Sequence, residues 1–317
     1  MKRLIFSLLI IIASLFVIDR VGGRVMWWVN QNTKDIAGPK IRYLANDVKE
    51  DVVLLGTSRS NFHYVPSILS DSLGLSVFNG GIDGSGGIYS HYILLNLMLE
   101  HHTPKMVCLE VMNSTFQKEN NPFELISFFA PYIGRSERAD SVFREAGNYW
   151  TYRISHLYRY NAKAMSNLAG LIVNKQTGND HGYIPMLDPK SYPELVPGAP
   201  GGNVDSLKIK YLHKFIDICK ERDIKLVMTV SPAFSTADHG VYDILRDIAE
   251  ANNVPFFDYH GKGLFLDHPE YFKDNSHLWD KGARIYTSIF AHDLKQALHN
   301  NAIMEKVKAE TQKSQVP

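Results

Sequence analysis

The chain lacks most of what would tie it to nucleic acid, a disulfide scaffold or a metal. Its 317 residues carry 34 Lys and Arg against 33 Asp and Glu, a formal net charge of +1. Binding along a phosphate backbone calls for a basic surplus, so nucleic acid is not expected as a partner. Only two cysteines occur, Cys108 and Cys219. They make no disulfide framework, and each stands in an apolar stretch, "KMVCLEV" and "FIDICKER", that suits a small buried hydrophobe. No zinc-type Cys/His spacing is found, so no metal is expected. A phosphate loop of the G-x-x-x-x-G-K-[ST] kind is absent, and "NGGIDGSGG" has no Lys after it, so no cofactor is expected.

What is present is enough to fold. Hydrophobic residues make up 45% and charged residues 21%, the balance of a chain with a sizeable core. Near the start, Lys2 and Arg3 precede the apolar run Leu4 to Ile18, "LIFSLLIIIASLFVI". No A-x-A-like cleavage site follows; Arg20, Arg24, Trp27 and Trp28 do, and they suit a membrane interface. Residues 1–29 are therefore expected to form an uncleaved transmembrane anchor, with a cleaved signal peptide as the alternative. In either case the positive start stays inside and the body is exported; with the anchor uncleaved this points to a single-pass inner-membrane protein with its domain in the periplasm or extracytoplasmic space.

Residues 30–49 are polar, carry Gly38-Pro39 and read as a connector. "DVVLLG", "LSVFNGG" and "PKMVCLEVMN" are short continuous apolar runs, the pattern of parallel strands buried on both faces. "IKLVMTVSP" and "VPFFDY" repeat it, and the helical spacings of "SHYILLNLMLEHH", "SLKIKYLHKFIDICKERD", "YDILRDIAEANN" and "DKGARIYTSIFAHDLKQAL" alternate with them. That alternation predicts an α/β domain with a mostly parallel sheet over 50–114 and 205–300. Residues 115–204 interrupt it as an aromatic-rich insertion ending in a loop, "LDPKSYPELVPGAPGGN". The insertion is either a lid over a site or a packing elaboration. Residues 301–317 form a polar tail expected to fray.

Parallel sheets hold ligands at the carboxyl ends of their strands. The polar residues expected there are Thr57, Ser58 and Arg59; Asn79, Gly80 and Gly81; Asn113 and Ser114; and Ser231, with Asp274 and His277 ahead of the last helix. Acyl transfer by serine requires a base, a group that orients the base, and donors for the oxyanion. Ser58 suits the nucleophile, His277 the base and Asp274 the orienting carboxylate. The N–H groups of Ser58 and Gly81, with the Asn113 side-chain amide, suit the oxyanion hole. Arg59 and Asn79 are candidates for substrate binding, with an internal ion pair as the other reading of Arg59.

These residues carry a resemblance. Gly56-Thr57-Ser58 after a strand, Asn79-Gly80-Gly81 after the next and Asp274-Asn275-Ser276-His277 before the final helix resemble three blocks of the SGNH (GDSL-type) hydrolases, in order. The third family block, G-x-N-D, is not matched: "CLEVMNSTF" has Asn113 without the Gly or the Asp, and leaves Glu110 and Ser114 as alternatives there. The resemblance implies a three-layer α/β/α, flavodoxin-like fold. It implies a serine esterase or acyltransferase acting on an acylated carbohydrate or other small ester, with an O-acetyl group on an envelope or extracellular glycan as one such substrate. An α/β-hydrolase would instead need G-x-S-x-G, and position 60 is Ser60.

Plainer readings stand beside these. A serine after a strand is often a helix N-cap, Asp274-x-x-His277 could cap a turn or form half a metal site that lacks a second ligand cluster, and His63, His91, His101 and His102 read as surface or satisfied histidines. The aromatics of 128–160 suit a sugar groove or a core equally. A protein that binds glycan or assists assembly while keeping the fold without catalysis is the alternative to an enzyme.

Overall fold

Side chains on a strand alternate between two faces, so an apolar run such as Val52-Val53-Leu54-Leu55 needs cover on both. In the computed structural model, which describes residues 1–35, 37–121, 123–172, 180–187, 191–195, 203–236 and 240–314, both faces are covered. In chain order, α1 (Lys2–Asn32) and α2 (Ala37–Asn46) precede β1 (Val52–Leu55); α3 (Ser58–His63) and α4 (Pro66–Leu73) lead to β2 (Val77–Asn79). Next, α5 (Ile88–Met98) leads to β3 (Met106–Glu110), followed by α6 (Asn113–Phe116). The insertion holds α7 (Glu137–Glu145), α8 (Tyr149–Ile154) and α9 (Ala164–Ile172), with 3-10 turns at Glu124–Tyr132 and Tyr158–Tyr160. Finally α10 (Ser206–Glu221), β4 (Lys225–Val230), α11 (Val241–Ala251), β5 (Phe256–Asp258), α12 (Gly263–Leu266) and α13 (Asp280–Ser314) complete the chain.

The strands pair in the order β2-β1-β3-β4-β5, all parallel. Val53, Leu55, Val107, Leu109, Leu226 and Met228 face a core shared with α2, α5, α10 and α11. Val52, Leu54, Met106, Cys108 and Val227 face the other, closed by α4 and by Tyr286, Phe290 and Leu294, one stripe of α13. Each such fully buried side chain contributes about 1.5–3 kcal/mol. Cys108 and Cys219 are free and lie in these two different cores, on opposite sides of the sheet.

Three expectations need correcting. Residues 37–46 are a helix of the fold: Ile41, Leu44 and Ala45 are buried in the core. Pro39 reads as a breaker but falls in the first turn, where a missing N–H costs nothing, and Asp35 caps that turn by accepting from Gly38 N–H at 3.0 Å. The last helix does not stop near Leu298 but runs to Ser314, because no Gly or Pro intervenes; 315–317 lie outside the described residues, as do 188–190 and 196–202 of the expected loop. The first thirty residues are not detached either, since Gly23, Val29 and Asn30 of α1 are buried against the body.

The insertion leaves and returns at one neck. Gln117 bridges Val204, and Asp205 N–H donates to Phe116 O at 2.8 Å before the Asp205 carboxylate caps α10. Its aromatic residues Phe129, Phe143 and Tyr152 belong to the first core.

Candidate active site

The chain passes from β2 on one side of β1 to β3 on the other, so the sheet reverses direction beside β1. Crevices form at such a switch point, outside the carboxyl ends of the strands. Gly56 ends the β1 segment there, and a Cβ on it would stand 2.5 Å from Ser60 Cβ and 2.9 Å from Glu110 Cβ. With only hydrogen at that position, the chain turns directly into α3, and Ser58 becomes its first residue. Thr57, not Ser58, holds the cap position, so Ser58 Oγ is left for other partners.

His277, near the start of α13, meets it. Ser58 Oγ lies 2.9 Å from His277 Nε2, and His277 Nδ1 lies 3.0 Å from each oxygen of Asp274. The carboxylate fixes the tautomer: Nδ1 carries the proton it donates to Asp274, so Nε2 accepts from Ser58. Burial raises the Asp274 pKa, but the His277 ring and the N–H groups of Ser276 and His277 outweigh it and bring it down to about 2. All three side chains are half-buried, and Ser58 lines a cleft of about 270 Å³.

The cleft is lined after β1 by Thr57 and Ser58, after β2 by Asp83 to Gly87 and after β3 by Met112, Ser114 and Thr115. Glu119 and Leu125 of the insertion and Lys208 of α10 complete its wall. The insertion therefore supplies both core packing and one side of the cleft.

The remaining expected residues sit elsewhere. Gly81 N–H donates to Asn79 Oδ1 at 2.9 Å, and its Cα packs on the Ser60–Asn61 backbone, so that N–H is turned away from the cleft. Asn113 does not line the cleft: its N–H donates to Tyr242 Oη at 3.2 Å and its Oδ1 is buried. Asn79 is fully buried and donates to Ser60 O and Tyr64 O, each at 2.8 Å, so it braces the loop and cannot reach a ligand. Arg59 is equally buried, in an ion pair with Glu110 at 3.4 Å. Of the alternatives in the unmatched block, Ser114 reaches the cleft and Glu110 does not.

Two clusters are not expected as such from the sequence, although it singles out Ser231, Glu110, Arg59 and His63 individually and an internal ion pair is one reading of Arg59. Beneath the site, Ser231 Oγ donates to Glu110 Oε1 at 3.0 Å while accepting from Arg59 Nε at 3.0 Å and His63 Nδ1 at 2.9 Å. Behind the β2 loop, Lys40 donates to Asn61 Oδ1 and to Gly81 O, and burial lowers its pKa to about 7. Nothing local signals either, since the partners lie far apart in sequence. The glycines after β2 carried a clue in their number: Gly84, Gly86 and Gly87 all adopt positive φ, a conformation glycine takes without steric cost. Among the described residues no group of three or more His, Cys, Asp or Glu is placed to hold a metal. Neither a protein-family model nor a curated protein matches the chain.

Proposed function

We propose that the protein is a serine esterase or O-acyltransferase of the SGNH type. The observation that carries this reading is the unbroken relay from Ser58 Oγ through the His277 ring to the Asp274 carboxylate, at 2.9 and 3.0 Å, opening on a cleft at the sheet's switch point. Ser58 Oγ attacks the ester carbonyl carbon as its proton passes to His277 Nε2. The tetrahedral intermediate collapses with cleavage of the C–O bond, and His277 returns the proton to the departing alcohol. Water or a second hydroxyl then attacks the acyl-serine, gives its proton to His277, and releases Ser58 with its proton restored. Asp274 stays ionised throughout and stabilises the imidazolium.

The oxyanion is assigned to the N–H of Ser58 and to the Gly84–Gly87 loop, because Gly81 is committed to Asn79. Cleft size and lining favour a small acyl group on a polar alcohol: a hydroxylated, carbohydrate-like acceptor fits Asp83, Ser85, Ser114 and Glu119 better than a long acyl chain would. With Lys2 and Arg3 ahead of the apolar run, the domain is assigned to the extracytoplasmic side of the inner membrane, where acylated envelope or extracellular glycans are the matching substrates.

Full-length protein in detergent, treated with a fluorophosphonate probe and digested, is expected to carry the label on Ser58 and to lose it in Ser58→Ala. Absence of label on folded protein would overturn the enzyme reading and leave a glycan-binding role.

A further inference from the structure

Two adjacent glycines, Gly22 and Gly23, sit in the middle of α1, where each weakens an isolated helix by roughly 1 kcal/mol relative to alanine. Their placement answers to a contact. A Cβ on Gly23 would stand 2.5 Å from His156 Cβ, and one on Gly22 would stand 3.2 Å from Leu157. Small residues here let the turn after α8 press against the helix, as they do where helices pack in membranes. One turn earlier, the Asp19 carboxylate accepts from Ser155 Oγ at 2.5 Å, His156 N–H at 2.9 Å and Leu157 N–H at 3.1 Å. Arg20 Nη1 donates to Ile154 O at 2.9 Å. Further up, Asn167 of α9 donates to Asn30, and Lys34 N–H donates to Gly170 O at 2.8 Å. Thus α1 is joined to the insertion along its whole second half.

The height of that junction is set by the helix. Counting from Leu4 at about 1.5 Å per residue, a hydrocarbon layer of roughly 30 Å ends near Arg24. Residues 19–23, and the 154–158 turn docked on them, therefore lie within about 8 Å of the outer edge of that layer, just beneath the headgroups. On the outward face, Val21, Val25 and Trp28 remain exposed, so the apolar surface of α1 continues through this level. The insertion continues it sideways: Trp150 is 69% and Ile154 67% exposed, one helical turn apart on α8, and Leu157 and Tyr158 follow. Arg20 lies beside the patch, donating to Ile154 O, and Arg24 and Arg153 are exposed. Apolar and aromatic side chains with arginines beside them match an interface with anionic headgroups.

We infer that α1 is retained in the mature protein and that α8 with the following turn, residues 149–158, is a foot resting in the bilayer interface beside it. The occupant of the patch is the bilayer that α1 enters. This footing sets the height and tilt of the domain over the membrane. It also explains why Asp19 is tolerated so near the hydrocarbon: the donors of the turn satisfy its oxygens and Arg20 pairs with its charge.

The test uses full-length protein in liposomes of phosphatidylcholine with phosphatidylglycerol. The native Cys108 and Cys219 are buried and replaceable by alanine. Single cysteines at exposed positions (Trp150→Cys, Ile154→Cys and, as a remote control, Leu264→Cys) take a nitroxide without disturbing the core. Collision with oxygen, which partitions into lipid, is expected to exceed collision with a water-soluble nickel chelate several-fold more at 150 and 154 than at 264. Gly23→Leu is expected to abolish that difference by forcing the turn off the helix. Intact mass of the protein extracted from membranes is expected to equal the full-length value. Water-like accessibility at 150 and 154 would overturn the foot, and a mass lacking the first helix would overturn the retained anchor.

Discussion

The main-chain N–H of Leu278 donates to Nε2 of His63 at 3.0 Å. The residue after His277 is thereby pinned to an imidazole buried beneath the site, and since Nε2 accepts, Nδ1 carries the proton it gives to Ser231. On the proposed mechanism, His63 is thus a positioning residue for His277 as general base. Replacing it with leucine leaves buried partners unpaired, at about 1–3 kcal/mol each. His63→Leu is expected to lower kcat well beyond any change in KM, because substrate contacts are untouched while His277 loses its footing. Steady-state kinetics on a cleavable acyl ester, with thermal melts to confirm folding, check this; a KM effect alone would refute it.

The same imidazole makes stability depend on pH. Burial, with smaller contributions from the charges of Arg59 and His277, holds His63 well below its ordinary value, and burial alone takes His91 to about 3. Both stay neutral in the folded chain, while in the unfolded chain they take up protons below about pH 6.5. Stability is therefore lost as pH falls through that unfolded value, with a slope of about 1.4 kcal/mol per pH unit for each group. Denaturant midpoints across mildly acidic pH are expected to fall less steeply in His91→Leu than in the parent protein. The depressed Asp274 adds stability that is lost only lower, as pH falls from its ordinary value toward about 2.

The strands and most helices were legible because each is a local pattern: apolar runs of three to six residues, buried in all but β5, then apolar spacing over three turns. Asp274 and His277 were legible for the same reason, as a spacing within one turn, and Ser58 as a small residue at a strand end. Long-range pairing was not. Ser231 meets His63 and Arg59 across more than 160 positions, and no window contains both. Gly81 and Gly84 look alike in "NGGIDGSGG", and only the bond from Gly81 N–H to Asn79 shows which of them faces inward. The break read at Gly38-Pro39 was a helix start, because proline's effect depends on its place in the turn.

Arg59 and Glu110 test whether the buried charge is structural. Removing one member of a buried pair leaves the other uncompensated, at about 3–5 kcal/mol, whereas an apolar pair avoids that penalty. Arg59→Met and Glu110→Gln are each expected to destabilise strongly, and Arg59→Met with Glu110→Met by less than the sum of its parts. Chemical denaturation of the four proteins of that cycle, with Glu110→Met as its second single variant, measures the coupling. Additive losses would show that the pair does not act as a unit.

Asp274→Asn separates orientation from folding. The carboxylate Oδ1 also accepts the N–H groups of Ser276 and His277, at 2.8 and 2.9 Å. An asparagine keeps that oxygen, so the turn is expected to survive and the melting temperature to change little. Its amide nitrogen, however, faces His277 Nδ1 and donates where the carboxylate accepted. The imidazole must then place its proton on Nε2, where it can no longer receive the one from Ser58. A loss in kcat of about 10³–10⁴-fold is expected, with fluorophosphonate labelling of Ser58 slowed in parallel. Because Asp274 titrates near 2, it is not expected to govern the acid limb of the parent's activity profile. Replacing it should therefore depress the plateau rather than merely move that limb. A variant that kept its plateau would show that Asp274 only caps the turn and that His277 is oriented by the His63–Leu278 bond alone.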